Sequence, residues 1–190
     1  MSRILLVRHA QAHGSEADDP ALDEIGEQQA TMLAARLVGE DVTRVLHSPK
    51  RRARQTAAAV VSRAECPTDT TALLDDRTPV PSADRWADYP SHRWDWLRET
   101  PADEADEDAR HLTAAWAELS AGGQSDSGTL VLVTHAFVIA SFLNQVLAAP
   151  PAAWMQLRVA NASVTELELR PGVEPAVLGF NDVSHLRVAH

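Results

Sequence analysis

A single cysteine, Cys66, is the first scarcity in this chain of 190 residues. It cannot form an internal disulfide, so a reducing compartment is the simpler expectation. No apolar run approaches the ~18 residues that a membrane-spanning helix needs. The first residues enter an apolar stretch without the charged and apolar regions of a signal peptide. We therefore expect a cytoplasmic protein with no membrane partner.

Positive charge is also scarce, with 17 Lys and Arg against 27 Asp and Glu and a net charge of −10. A chain without a basic excess lacks the electrostatic footprint of a nucleic-acid-binding protein, so no nucleic-acid partner is expected. An anionic ligand would have to be held by a few local cations. Any cluster of arginines is therefore informative.

Short apolar runs alternate with helical patterns along the chain. The length and the 45% apolar content suit one globular domain over residues 1–190. The alternation predicts a three-layer α/β/α sandwich with a mostly parallel sheet. Residues 77–126, broken by prolines, are expected to form an insertion that caps the active site. Strands are predicted at 4–7, 42–46, 70–74, 129–133, 163–169 and 176–180, and helices at 23–38, from 51, at 103–119 and at 136–147.

Several local signals refine this prediction. Asp23 is a good N-cap for the first helix, and Ile25 is expected on its inner face with Ala30, Leu33 and Leu37. Ser48 is a possible cap of the second helix. Residues 122–126 are predicted to form a loop. The strictly alternating strand at 163–169 is expected near a sheet edge, where it could pair with a second copy in a homodimer.

Two predicted buried strands end in chemically active side chains. Residues 4–7 are followed by Arg8 and His9, and residues 130–133 by Thr134 and His135. Ligands of open α/β sheets bind at the carboxyl ends of the strands, so these side chains are expected to converge. Guanidinium groups bind phosphate oxygens in pairs, and a neutral imidazole can attack phosphorus. The pattern therefore predicts one phosphate site.

Several segments in order resemble the signature motifs of the histidine phosphatase superfamily, the phosphoglycerate-mutase-like proteins, in its branch 1 form. The resemblance covers roughly 1–62 and 127–186 and leaves the middle unmatched. It is specific for the superfamily and not for a substrate. The segments are LLVRHA at 5–10, LDEIGEQQA at 22–30, SPKRRARQTA at 48–57, LVTH at 132–135 and the tail at 181–186.

The resemblance implies a role for each matching residue. His9 would be the phosphorylated nucleophile, Arg8 and Arg52 would clamp the phosphate, and His135 would donate to it. Asp76, in the sequence Leu74-Asp75-Asp76-Arg77, would be the general acid in place of the usual glutamate, with Asp75 as a neighbour. No metal and no cofactor is implied.

The sequence departs from the family pattern beside the nucleophile. Ala10 replaces a glycine, and Ala12 and Ser15 stand where many members have phosphate-binding side chains. Ser15 is expected to supply part of that binding. Arg51 and Arg54, which flank the matching arginine, are expected to be solvated on the surface.

The expected function is hydrolysis of a small phosphorylated substrate by a metal-independent phosphomonoesterase. Three alternatives stay open: a catalytically impaired phosphate-ester-binding or regulatory member, a phosphoglycerate mutase, and a metallohydrolase that uses His9, His13 and acidic residues. Trp86, Trp94 and Trp96 would either recognise the leaving group or simply pack the insertion onto the sheet.

Overall fold

A six-stranded sheet forms the centre of the computed structural model, which describes residues 2–14, 19–125 and 128–186, without the side chains of 122–125. The strand order is β3-β2-β6-β1-β7-β8. β1, β2, β3 and β6 pair in parallel, whereas β7 is antiparallel to both β1 and β8. The mostly parallel sheet is confirmed. Its strands are β1 (Ser2–Arg8), β2 (Val42–His47), β3 (Thr68–Thr70), β6 (Gly128–Thr134), β7 (Val164–Arg170) and β8 (Val173–Asp182).

Helices cover both faces of this sheet, because alternate residues of each buried strand point to opposite sides. Leu5 and Val7 of β1 pack in the core beneath α1 and α2, and Ile4 and Leu6 pack beneath α4 and α5. The three-layer α/β/α sandwich is therefore confirmed. The helices are α1 (Glu24–Arg36), α2 (Arg51–Ala64), α3 (Trp94–Arg98), α4 (Arg110–Ser125) and α5 (Ala136–Val146); β4 (Thr78–Val80) and β5 (Ala105–Glu107) form a separate parallel pair.

The start of α1 is specified by its own sequence. Asp23 is the N-cap, as predicted, and its Oδ1 accepts a hydrogen bond from the Gly26 amide at 2.7 Å. Ile25 is 54% exposed, which corrects its predicted inner position. Gly26 is buried instead, because this turn lies against the loop after β1: a Cβ at Gly26 would stand 1.8 Å from the carbonyl oxygen of Gln11.

The region before α4 differs from the prediction of one helix over 103–119. Residues 105–107 form β5, and the helix begins only at Arg110. Asp106 is fully buried, and its carboxylate accepts hydrogen bonds from the amides of His111 and Leu112 at 3.0 and 2.9 Å. The acidic run thus caps the helix from the preceding strand. At its other end α4 continues to Ser125, where a loop was predicted.

Two strand predictions also need correction. The segment predicted as a strand at 70–74 is a strand over Thr68–Thr70 followed by a 3-10 helix over Ala72–Leu74. β7 is an interior strand, because β8 extends over ten residues and covers its outer side. The edges of the six-stranded sheet are β3 and β8. None of the helices in the described residues is long and apolar enough to cross a membrane.

Candidate active site

The sheet order brings the predicted site residues to one end of three neighbouring strands. β1 lies beside β6, and β6 beside β2. His9 follows β1, His135 follows β6, and Ser48 follows β2. Arg52 lies in the first turn of α2. The turn that carries Asp76 is held to the end of β6, because the Thr134 hydroxyl donates to the Leu74 carbonyl at 2.7 Å.

His9 is buried, and one ring nitrogen is held by the backbone. Its Nδ1 lies 2.8 Å from the carbonyl oxygen of Ala10. A carbonyl only accepts, so Nδ1 carries the hydrogen and Nε2 has the lone pair. Arg52 Nε donates to that Nε2 at 3.2 Å. Burial, followed by the charges of His135, Arg8 and Arg52, lowers the pKa of His9 to about 3, so the ring is neutral at pH 7.

Arg52 is the centre of the cluster. Its side chain is fully buried, and its Nη2 donates to Asp76 Oδ2 at 2.7 Å and lies 3.3 Å from His135 Nδ1. The ring centroids of His9 and His135 are 5.2 Å apart. Arg51 and Arg54 are exposed, as expected from the sequence. The structure thus brings Arg52, and neither neighbour, to the two histidines.

Asp76 is buried and faces His135 Nδ1 at 3.1 Å. Burial by itself raises the pKa of this carboxyl. The hydrogen bond from His135 and the charges of His135, Arg52 and His9 outweigh burial and lower the pKa to about 2. Without a bound phosphate Asp76 is therefore a carboxylate.

Ser48 is a site residue that the sequence interpretation assigned to a helix cap. α2 begins after Lys50, and no side chain caps it. The Ser48 hydroxyl lies 2.8 Å from His135 Nε2, and its oxygen accepts from the Lys50 amide at 3.2 Å. The signal that could have found it is the serine-proline pair within the SPKRRARQTA motif.

His9, Asp76 and His135 line a cavity of about 380 Å³. This volume lies within the range of small-molecule binding sites. Arg8 contributes to its wall, and its Nη1 donates to the Val159 carbonyl at 2.7 Å. The sequence interpretation missed Phe137 and Arg158 as wall residues, and it treated Asn181 only as part of the tail motif. The wall consists of Arg8, His9, Asp76, His135, Ala136, Phe137, Leu157, Arg158, Val159, Ala160 and Asn181.

Other motif residues hold the loop that follows His9. The amide of Gln11 donates to Gln29 Oε1 at 2.9 Å, and the amide of Ala10 donates to the Thr56 hydroxyl at 3.0 Å. Ala10 is buried without a positive φ, so its methyl group introduces no backbone strain. Ala12 bridges Leu22 within the same loop. Ser15 lies outside the described residues.

The histidines proposed for a metallohydrolase do not face the same space. His9 is 2% exposed in the cluster, whereas His13 is exposed on the loop. Within residues 2–14, 19–125 and 128–186, no group of three or more His, Cys, Asp or Glu side chains is arranged to hold a metal ion.

Similar proteins have phosphatase names. The chain is 28% identical over 190 residues to the serine/threonine-protein phosphatase Pgam5, mitochondrial, of Caenorhabditis briggsae, and 28% identical over 193 residues to its human counterpart PGAM5. These matches cover 96% of the chain, which spans 64% and 63% of the length of the two relatives. The cytoplasmic location predicted from the sequence is contradicted by these relatives, which are named as mitochondrial.

Solved structures of phosphatases share the fold. A mycobacterial glucosyl-3-phosphoglycerate phosphatase matches with a TM-score of 0.74 and 25% identity, covering 95% of this chain and 98% of the other. A phosphoserine phosphatase from Entamoeba histolytica, solved with 3-phosphoglyceric acid, matches with a TM-score of 0.76 and 20% identity, covering 98% and 100%. The model of the histidine phosphatase superfamily, branch 1, matches residues 4–183. The chain therefore belongs to this superfamily.

Proposed function

We propose that this chain is a phosphomonoesterase that transfers the phosphoryl group of its substrate to Nε2 of His9 and then to water. The observation that carries the proposal is the state of His9: a neutral ring, held by the Ala10 carbonyl, whose Nε2 lone pair faces the Arg52 guanidinium. The phosphatase names of the relatives support the same reaction class.

In the first step the phosphoryl group enters the cavity and accepts the hydrogen bonds of Arg8, Arg52 and His135. Nε2 of His9 forms a bond to phosphorus while the bond from phosphorus to the ester oxygen breaks. The cations stabilise the charge on the equatorial oxygens. Arg52 Nε leaves Nε2 and binds a phosphoryl oxygen, so the nucleophile is uncovered only when the substrate is in position.

Asp76 supplies the proton in this proposal. Arg52 and His135 hold its pKa low, and burial opposes them. A phosphate dianion recruits both donors and adds a nearby negative charge, so its arrival raises the pKa of Asp76. Asp76 then takes up a proton from solvent and donates it to the leaving ester oxygen. In the second step the Asp76 carboxylate takes a proton from the attacking water, whose oxygen forms a bond to phosphorus while the bond from phosphorus to Nε2 breaks. Phosphate then leaves, and His9 returns to its neutral form.

The insertion at 77–126 borders this site in the proposal. α4 packs on the sheet as part of a helical layer, whereas Trp96, in α3, lies 5.6 Å from Phe137, a residue of the cavity wall. Trp86 and Trp94 pack edge to face at 5.9 Å, with Arg98 4.6 Å above Trp86. Among Trp86, Trp94 and Trp96, Trp96 is thus the one whose ring contacts an aromatic residue of the cavity wall.

The test uses two histidines of the same loop. His9→Ala is expected to abolish hydrolysis of p-nitrophenyl phosphate and to remove acid-labile ³²P labelling of the protein. His13→Ala is the matched control, because His13 is exposed on the loop and lies outside the buried cluster, and both readouts are expected to stay at the wild-type level. A His9→Ala protein that still hydrolyses the ester and takes up label would contradict the proposal. A wild-type protein that binds phosphate esters without turnover would favour the impaired alternative.

A further inference from the structure

Arg158 stands out among the wall residues of the active-site cavity. Arg158 lies outside the two motif segments that contain Arg8, His9 and Arg52, and its side chain is exposed. Within the described part of the chain it forms no ion pair with a carboxylate, whereas Arg52 is paired with Asp76. Its guanidinium therefore keeps its charge available to a molecule in the cavity.

The backbone on both sides of Arg158 is held in place. The Val159 carbonyl accepts from Arg8 Nη1 at 2.7 Å, and the Ala160 amide donates to Asn181 Oδ1 at 2.7 Å. On the other side, the 3-10 helix over Ala153–Gln156 contains the buried Trp154. These contacts fix the position of the backbone at Arg158 in the cavity wall.

The charge of the cavity is locally opposite to that of the whole chain. Its wall contains Arg8 and Arg158, whereas its one carboxylate, Asp76, already faces Arg52 and His135. Phe137 and Leu157 supply apolar wall and no charge. In the proposed reaction Arg8 binds the transferred phosphoryl group, so Arg158 has no partner in a singly phosphorylated, otherwise neutral substrate.

We propose that Arg158 is a specificity residue that binds a second anionic group of the substrate, a carboxylate next to the phosphate ester. This inference rests on the phosphomonoesterase function proposed above. The second anion has two possible sources: a small phosphorylated hydroxy acid, or an acidic residue beside a phosphorylated side chain. Both present the same chemistry to the guanidinium.

The experiment compares two esters of equal size. 2-Phosphoglycolate has a carboxylate where 2-hydroxyethyl phosphate has a hydroxymethyl group. Arg158→Ala is expected to lower kcat/KM for 2-phosphoglycolate about 5–10-fold, mainly through KM, because a partly exposed ion pair is of modest strength. The value for 2-hydroxyethyl phosphate is expected to stay within twofold. Arg158→Glu is expected to lower kcat/KM for 2-phosphoglycolate further. Added salt is expected to reduce the difference between the wild type and Arg158→Ala.

Arg63→Ala is the matched control, since Arg63 is an exposed arginine at the end of α2 outside the cavity. Two blocked phosphoserine peptides, with Asp or Asn as the next residue, identify the source of the anion. An Arg158 effect limited to the acidic peptide supports the same inference with a peptide substrate. Equal effects of Arg158→Ala on charged and neutral esters would overturn it. Inactivity of the wild type toward every ester would instead overturn the proposed function.

Discussion

The side chain of Arg52 is fully buried, and polar groups surround it. A buried charge is costly unless it is paired, and here His9, Asp76 and His135 surround it. The same contacts decide the state of the other groups, since Arg52 helps to keep His9 neutral and Asp76 ionised. A phosphate that binds Arg52 in place of these partners therefore changes the protonation of the whole cluster.

The proposed role of Asp76 as general acid can be tested by varying the leaving group. Asp76→Asn is expected to lower kcat for an alkyl phosphate about 100-fold or more, because an alkoxide needs a proton as it leaves. For p-nitrophenyl phosphate, whose leaving group is stable as an anion, the loss is expected to be at least tenfold smaller. The measurement is kcat for the two esters. Asp75→Asn is the control, since the Asp75 side chain only accepts from the Asp76 amide at 2.9 Å. A loss of equal size for both esters would rule out proton donation by Asp76.

The loop between β1 and α1 shows how a helix positions the segment that follows His9. The α1 residues Gly26 and Gln29 contact Gln11, by close approach and by a hydrogen bond. Gln55 of α2 accepts from the Leu22 amide at 2.9 Å. The α1 motif and Gln55 of the α2 motif therefore brace this loop, whereas Arg52 of the α2 motif belongs to the buried cluster itself.

Gly26→Ala is expected to lower the free energy of unfolding by about 1–3 kcal/mol, because the new methyl group would overlap the Gln11 carbonyl and the loop would have to shift. Denaturation with urea measures the effect, and kcat is expected to fall with it. Gly179→Ala is the matched control, since the added Cβ meets no described residue beyond its chain neighbours within 4 Å. Its effect is expected within about 0.5 kcal/mol. Equal stability of the two variants would show that the loop adapts freely.

The elements that the sequence predicts well are those with strong local patterns. β1, β6, α1 and α5 begin and end within about two residues of the predicted bounds, because apolar runs, an N-cap and prolines mark them. The histidines and Arg52 were found through motifs at the ends of these elements. Their catalytic roles stay predictions until they are measured.

Features that depend on distant partners were not predictable in this way. Ser48 looks like a helix cap locally, but its hydroxyl meets His135, 87 residues later. The acidic run at 103–108 looks solvated, although Asp106 is fully buried beneath the start of α4. Arg158 has no local signature, since its position at the cavity depends on the contacts of Arg8 with Val159 and of Ala160 with Asn181.

At the scale of the whole molecule, the buried cluster links stability to pH. The pKa of His9 is about 3 in the fold and 6.5 as a free side chain, so only the unfolded chain binds this proton between those values. The free energy of unfolding therefore decreases as the pH falls from about 6.5 toward 3. Asp76 adds a loss of the same sign below its ordinary pKa of 3.8, toward about 2.

His9→Gln is expected to flatten the dependence of the unfolding free energy on pH. One proton bound only by the unfolded chain corresponds to a slope of about 1.4 kcal/mol per pH unit. Urea denaturation at pH 6, 5 and 4 should give a slope smaller by this amount in the variant. His13→Gln is the matched control on the same loop, since His13 is exposed and lies outside the buried cluster, and the wild-type slope is the expected result. An unchanged slope in His9→Gln would contradict the buried neutral ring.

The sheet order also has a consequence for synthesis of the chain. Within the described sheet β1 lies between β6 and β7, so Val7 is paired with Val133 on one side and with Val164 on the other. At about 5–20 residues per second, the ribosome needs roughly ten to thirty seconds between making the first strand and making its second neighbour. During that interval the apolar segment before His9 has no place in a sheet and is a natural client for a chaperone. His9 is thus translated well before the strands that hold it in the buried cluster.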